Sequence, residues 1–305
     1  MERMIMKNFI TAFLGSLLLL SGVVTSGLAQ GTSPPAALFQ IGMGARPLGM
    51  GGAFVAVVDD ESALFYNPAG LGDLESIGLT SFYSTQFNAV NYGAIGWGQP
   101  SLGLGVLLLN TQGERRDTLA NPLETFSHTE VGVIGSAGVP LGPIAAGGVR
   151  GRYYQVVSLD AGSGSGWVID VGGLLRLGPI RIGAMMENVF NQTITYNSGY
   201  SEAWAQKLRV GTALTLGILN LAVDVDRLGL IGENPVIHAG VEAWFGELGI
   251  RGGAWGSSEA LEAGSVNFTL GASFRSERLE IDYAYLMHAQ LDDTHRVSLT
   301  LRFGS

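Results

Sequence analysis

The residues of this chain that could do chemistry fall into three sets. Four histidines stand far apart, at positions 128, 238, 288 and 295. No G-x-S-x-G elbow, H-E-x-x-H helix or phosphate-cradling glycine loop occurs anywhere in the chain, so the sharp hydrolase, protease and nucleotide signals are missing. A second set is the acidic run Asp59-Asp60-Glu61. Clustered carboxylates suit hard cations, but no calcium-loop spacing and no further ligands accompany this run. It reads as a solvated acidic turn or as a partner for enclosed arginines. The third set is a series of charges at even spacing: Lys207 and Arg209, Asp224 and Asp226, Glu280 and Asp282, Arg296 and Arg302. Residues two apart on an extended chain share one face. Lys207 and Arg209 would then meet Asp224 and Asp226 across adjacent strands, and Glu280 and Asp282 would meet Arg296 and Arg302. Such pairs stabilise a sheet modestly, or they line a charged path. His238 and Glu242, four apart on one such face, suit packing better than a metal pair. We assign no catalytic residue, cofactor or metal ligand, and expect no enzyme.

The elements that carry these charges are strands. From Ser76 onward the sequence has period two, with one face apolar and the other mixed. In Thr294 to Phe303, Val297, Leu299, Leu301 and Phe303 fall on one side, while Arg296, Ser298, Thr300 and Arg302 fall on the other. The same alternation recurs in Leu219 to Asp226 and Val266 to Arg275. Fourteen such segments lie between turn signals, with tight connections such as Leu177-Gly178-Pro179 at one rim. Longer polar connections, over 111–125, 159–166 and 191–203, lie at the other. A soluble sandwich would bury its apolar faces and cover the other faces with Lys and Glu. Here the mixed face is rich in Gly, Ser, Thr and Asn, as an enclosed interior would be. Only 14% of the 305 residues are charged, and 46 are glycine. The expectation is an all-β fold, a transmembrane antiparallel β-barrel of about 14 strands over residues 76–305, with its apolar face on lipid.

Ahead of the strands stand two further segments. The apolar run Phe9 to Val24 follows Arg3 and Lys7 and ends in small residues, the order of a secretory signal peptide, which we place at 1–30. There is no cysteine for a disulfide or a lipid anchor, and the net charge of −9 does not suit nucleic acid. Residues 31–75 are dense in glycine and precede the first strand. A cylinder of fourteen strands is too wide for wall side chains alone to fill, so this segment reads as an N-terminal hatch within the lumen. Asn67-Pro68-Ala69-Gly70 is a turn signal inside it. Leu38, Phe39, Ile41, Met43, Leu48, Met50 and Phe54 would either contact a hydrophobic ligand or form the hatch's own small core.

Two stretches at opposite ends, "GARPLGMGGAFVAVVDDESALFYNPAGL" and "LEIDYAYLMHAQLDDTHRVSLTLRF", resemble the PorV/PorQ family of outer-membrane proteins, which is similar to the FadL-type long-chain fatty acid transporters. The resemblance implies a fourteen-stranded outer-membrane barrel with an N-terminal plug that holds the Asn67-Pro68-Ala69 turn. It also implies one of two tasks. PorV-like members handle exported proteins, with secreted-protein or translocon partners. FadL-type members pass a hydrophobic small molecule. One departure is that Phe303 is followed by Gly304 and Ser305, whereas such barrels often end on an aromatic residue.

Overall fold

The computed structural model describes residues 36–86, 89–116, 121–158, 162–228, 234–288 and 292–304. The proposed signal peptide and the first five residues of the proposed hatch lie outside them. Fourteen long antiparallel strands close into a barrel. They are β1 (Ile77–Gln86), β2 (Val90–Gln99), β3 (Leu102–Arg116), β4 (Pro122–Pro140), β5 (Ala145–Ser158), β6 (Gly162–Leu177) and β7 (Ile180–Tyr196), then β9 (Lys207–Leu216), β10 (Leu219–Leu228), β11 (Val236–Phe245), β12 (Leu248–Ser257), β13 (Asn267–Arg275), β14 (Leu279–Met287) and β15 (Thr294–Phe303). A two-residue strand, β8 (Ser201–Glu202), adds to the far end of β7. Each long strand pairs with the next in sequence. The first and last close the cylinder in register from Ile77↔Phe303 to Thr85↔His295. Closure removes the open edges of a flat sheet where all fourteen strands run side by side, so that part of the wall can lie in hydrocarbon with its ladder satisfied.

Alternation decides what each face meets. On β15, Val297, Leu299 and Leu301 are exposed, while Arg296, Ser298 and Thr300 between them are buried. On β3, Leu104, Val106 and Leu108 face outward in the same way. Repeated around the cylinder, this makes an apolar belt far larger than a soluble monomer leaves open. The belt is the lipid-facing surface of a membrane-spanning barrel.

The wall is uneven in height. Strands β3 to β7 run for 14 to 19 residues, and β9 to β15 for 9 or 10. Three stretches expected as loops are therefore largely strand: β3 continues to Arg116, β4 begins at Pro122, and β6 begins at Gly162 while β7 ends at Tyr196. Beyond the bilayer both faces of a strand meet water. The apolar alternation then fades although the backbone ladder continues. A short helix, Ser258–Glu262, sits in the connection after β12.

Candidate functional site

The segment from Ala36 to Asp73 occupies the lumen and is buried almost throughout. Its regular structure is slight: 3-10 turns at Ala37–Phe39 and Pro68–Asp73, and two short helices, α1 (Ala45–Gly49) and α2 (Ala63–Tyr66). Tight turns satisfy part of its backbone internally, as where the Gly52 amide donates to the Pro47 carbonyl and the Asn67 amide to Ala63, and the remaining buried amides and carbonyls need partners elsewhere. Wall side chains supply them. Glu130 accepts from the Leu38 amide at 2.9 Å, Ser298 from Ala45 at 2.6 Å, and Asp224 from Phe54 and Val55 at 2.8 and 3.0 Å. Thr269 accepts from the Gly51 amide at 3.0 Å and donates to the Gly49 carbonyl at 2.9 Å. Ser136 donates to the Leu64 carbonyl and Arg181 to the Val57 carbonyl, both at 2.7 Å. The polar inner face of the barrel thus serves as the plug's hydrogen-bond partner.

Charges fix the plug at the rim of tight turns. Arg46 of α1 donates to both oxygens of Glu242 on β11, at 2.9 and 2.7 Å, and to Asp59 and Asp60 at 2.5 and 2.7 Å. Burial disfavours the Arg46 charge, but Asp59, Glu242 and Asp60 more than offset this and hold its proton more tightly than usual. Burial likewise works against the Asp60 carboxylate, yet Arg46 and the Ser62 hydroxyl keep its pKa below the ordinary range. Glu61 goes the other way, because burial and the neighbouring Asp60 charge raise its pKa against the opposing pull of Arg302. Arg302 of β15 bridges Glu61 at 2.9 Å and Glu280 at 2.7 Å. Arg176 of β6 forms a close ion pair with Asp73. The acidic run is therefore spent on arginines. Among the described residues no three His, Asp or Glu side chains group as metal ligands.

The ladder of even-spaced charges is only partly paired as expected. Arg209 meets Asp224 at 3.1 Å, and Lys207 stands 3.9 Å from Asp226 and 2.7 Å from Glu187. Arg302 meets Glu280. Asp282, however, pairs with Arg251 at 3.0 Å and with Ser273, not with Arg296. The register explains this: Arg296 lies opposite Ser84 on β1 and Ala284 on β14. His238 holds the Gly51 carbonyl at 2.7 Å through Nδ1. Sequence reading missed Arg46, Glu130, Arg251 and the cluster in which Arg150 and Arg152 of β5 both donate to Asp170 of β6. The spacing Arg150-x-Arg152 was a signal for that cluster, since both fall on the inward parity of β5.

The Asn67-Pro68-Ala69-Gly70 stretch opens a 3-10 helix. The Asn67 side chain accepts from the Ala69 amide at 3.2 Å and donates to the carbonyls of Val55 at 2.9 Å and Gly173 on β6 at 3.0 Å. Gly70 is needed for space and not for a left-handed backbone. A Cβ there would stand 2.3 Å from the Val58 carbonyl oxygen. Gly183 of β7 is similar on the wall side, where a Cβ would lie 2.2 Å from the Val55 oxygen.

Above the plug, toward the rim of longer connections, lies a cavity of about 500 Å³. Its apolar surface comes from Ile41, Leu48 and Phe65 of the plug and from Leu109, Val90 and Leu286 of the wall. Phe39 borders it, within an aromatic group with Tyr154 and Trp204 at centroid distances of 6.2 and 6.4 Å. Of the seven hatch residues named as ligand contacts or hatch core, Phe39, Ile41 and Leu48 line this cavity. Leu38, Met43, Met50 and Phe54 are fully buried in a core that plug and wall share. The cavity's polar side includes Glu187, Lys207, Arg209, Asp226 and Arg296. Tyr66 also faces it, and burial pushes that hydroxyl's pKa up to about 12, so it stays protonated at neutral pH.

No family model and no curated protein matches the sequence. Solved structures do match the fold. The monoaromatic hydrocarbon channel CymD is 14% identical with a TM-score of 0.61, covering 87% of this chain and 98% of its own. The Pseudomonas putida toluene transporter TodX is 12% identical with a TM-score of 0.62, covering 86% and 97%. The Ralstonia pickettii toluene transporter TbuX is 15% identical with a TM-score of 0.56, covering 86% and 99%. At this level of identity the likeness is one of fold: the chain is a fourteen-stranded outer-membrane β-barrel of the FadL-like architecture.

Proposed function

We propose that this protein is an outer-membrane channel for a small hydrophobic solute. The solute enters from the rim of longer connections, which faces outward in such barrels. It rests in the cavity over the plug and passes inward when the plug shifts. The observation that carries this reading is the cavity itself, whose apolar surface is shared between plug residues Ile41, Leu48 and Phe65 and wall residue Leu109. A movement of the plug would therefore change the solute's surroundings directly. The described neighbours of the fold, channels for toluene and other monoaromatic hydrocarbons, support the same class of cargo.

The test is uptake by whole cells, because an outer leaflet of lipopolysaccharide is the barrier such solutes cannot cross unaided. Cells carrying the barrel should accumulate labelled toluene or a labelled aliphatic solute faster than cells without it. Leu109→Trp, which fills the cavity from the wall, should return uptake to background while the barrel still folds. Equal uptake with and without the barrel, for both solutes, would defeat the proposal.

One observation favours a second reading, in which the barrel docks exported proteins as the resemblance of its two ends implies. The wall over β3 to β7 stands several residues taller than the rest and offers a surface beyond the membrane. Mass spectrometry of whatever co-purifies in mild detergent separates the two. A bound apolar solute supports the channel, and a bound exported protein or translocon subunit supports docking.

A further inference from the structure

Two open spaces lie against one side of the barrel, with the plug between them. The outer one is the cavity over the plug, to which β7, β9, β10 and β11 contribute Glu187, Arg209, Asp226 and His238. The inner one, of about 180 Å³, lies at the rim of tight turns. The same four strands line it with Arg181, Ala213, Asn220 and Trp244, and the plug lines it with Val57 and Asp59. On β9 the cavity ends at Arg209 and the inner space begins at Ala213, so a single inward position, Gly211, separates them. The register sets Gly211 between Gly183 on β7 and Asp224 on β10. One row nearer the inner space, Ala213 stands between Arg181 and Ala222, and Ala222 lies opposite Gly240 on β11. The wall between the two spaces is therefore a nearly bare strip.

Plug backbone covers this strip. A Cβ on Gly211 would run into Val55, and one on Gly240 into Met50. Four wall side chains hold the segment from Gly51 to Val57. His238 bonds the Gly51 carbonyl, Arg209 donates to Gly52, Arg181 donates to Val57 at 2.7 Å, and Asp224 accepts from the Phe54 and Val55 amides. Asp224 differs from the other three. It is wholly buried, and its Oδ2 takes both amides and Arg209, while its Oδ1 has no hydrogen-bond partner among the described residues. That free oxygen faces the strip, since a Cβ on Gly211 would collide with it. A buried carboxylate oxygen without a donor is disfavoured, and its retention asks for a state in which a donor reaches it. Elsewhere the lumen offers no such strip. Below the plug a second space lies beside Asp73 and Arg275, but between it and the cavity β14 carries Asp282 and Glu280, tied to Arg251 and Arg302.

We propose that the solute leaves the cavity along the strip of Gly183, Gly211, Ala222 and Gly240, and that Asp224 is the positioning residue that latches plug segment 51–57 over it. This rests on the channel reading and deepens it by naming the side on which the plug opens. Lifting the segment strands no ion, because Asp224 and Arg209 both belong to the wall and stay paired. It also opens Oδ1 to water. The rest of the plug stays on its own ion pairs, Arg46 with Glu242 and Asp73 with Arg176.

The test follows two thiols. The chain has no cysteine, so each introduced thiol reports on one position. Ala222 on the strip and Ala284 on β14 are both 1% exposed, and Ala284 lies under Gly49 of α1, away from the strip. Ala222→Cys and Ala284→Cys are made separately in the full barrel and reacted with iodoacetamide in neutral detergent, with and without toluene or octane. Whichever solute whole cells take up should speed modification at 222 several-fold and leave the rate at 284 unchanged. Asp224→Asn keeps an acceptor for the two amides but not the charge. It should raise the solute-free rate at 222 roughly 10-fold and leave 284 as it was. Equal acceleration at both positions overturns the proposal, as does acceleration at neither when cells do take up the solute. Asp224→Asn exposing both thiols alike also overturns it. The comparison between 222 and 284 keeps the native latch and stands even if Asp224→Asn fails to fold. If cells carrying the barrel accumulate neither toluene nor octane faster than cells without it, the channel reading itself fails and takes this one with it.

Discussion

Arg46 on the plug and Glu242 on β11 form a two-point ion pair across the lumen, with Nε to Oε1 at 2.9 Å and Nη2 to Oε2 at 2.7 Å, both side chains almost wholly buried. Two parallel charge-assisted bonds fix orientation as well as distance. Glu242 also receives Arg251 at 3.3 Å, so the pair is tied to the ladder of wall charges that ends at Asp282.

Removing one partner of such a pair leaves the other charge buried and alone. Arg46→Ala should therefore loosen the plug by about 3–5 kcal/mol. The measurement is single-channel conductance in planar bilayers, where the variant should show frequent large openings and the native barrel few. Arg46→Ala combined with Glu242→Gln should lose less than the two single changes summed, since the double variant has no stranded carboxylate at 242.

Acid should test the same latch with a definite sign. The pKa of Asp60 is depressed in the folded protein, so its contribution is present above its unfolded value near ~4 and is lost as pH falls through the folded value. The pKa of Glu61 is raised, so the seated plug binds that proton more readily than the free chain does, and seating firms slightly as pH falls through that window. Conductance should therefore stay flat or decline on going from pH 7 to about 5, and rise only under stronger acid, below about 4. A steady rise beginning near neutrality would contradict the assignment.

Close approach between plug and wall makes a second, uncharged prediction. Gly183→Val would place carbon against the Val55 carbonyl oxygen, where even a Cβ lies at 2.2 Å. Overpacking of this kind costs about 1–3 kcal/mol or more and should unseat the plug in the conductance assay. Gly173→Val on the adjacent strand is the control, because a Cβ there meets nothing within 4 Å. It should behave as the native protein.

Asn67 ties the plug to itself and to β6 through one amide. Asn67→Ala removes the bonds to the Val55 and Gly173 carbonyls and to the Ala69 amide. With buried partners left unsatisfied the loss should be about 2–3 kcal/mol in urea unfolding from detergent. Asn67→Asp keeps the acceptor for Ala69 but turns a buried carboxylate toward the Val55 and Gly173 carbonyls, and should cost at least as much as Asn67→Ala.

What the sequence determined by itself was the solvent on each side of each strand. Val297, Leu299 and Leu301 against Arg296, Ser298 and Thr300 already state which face meets lipid, because extended chain has period two and hydrocarbon rejects the other set. The fourteen-stranded barrel followed from repeating that alternation. Strand height did not follow, since Pro122 to His128 carry no apolar alternation in the sequence. Only the tertiary structure decided which inward charges meet: the stagger between β14 and β15 carries Arg296 past Asp282 and leaves Asp282 to Arg251. It also decided that Met43, Met50 and Phe54 are core while Leu48 lines the cavity. The plug has almost no periodic structure. Its contacts are set by wall side chains some hundred to two hundred and fifty residues away, such as Ser298 on Ala45 and Thr269 on Gly51, and no local pattern encodes them.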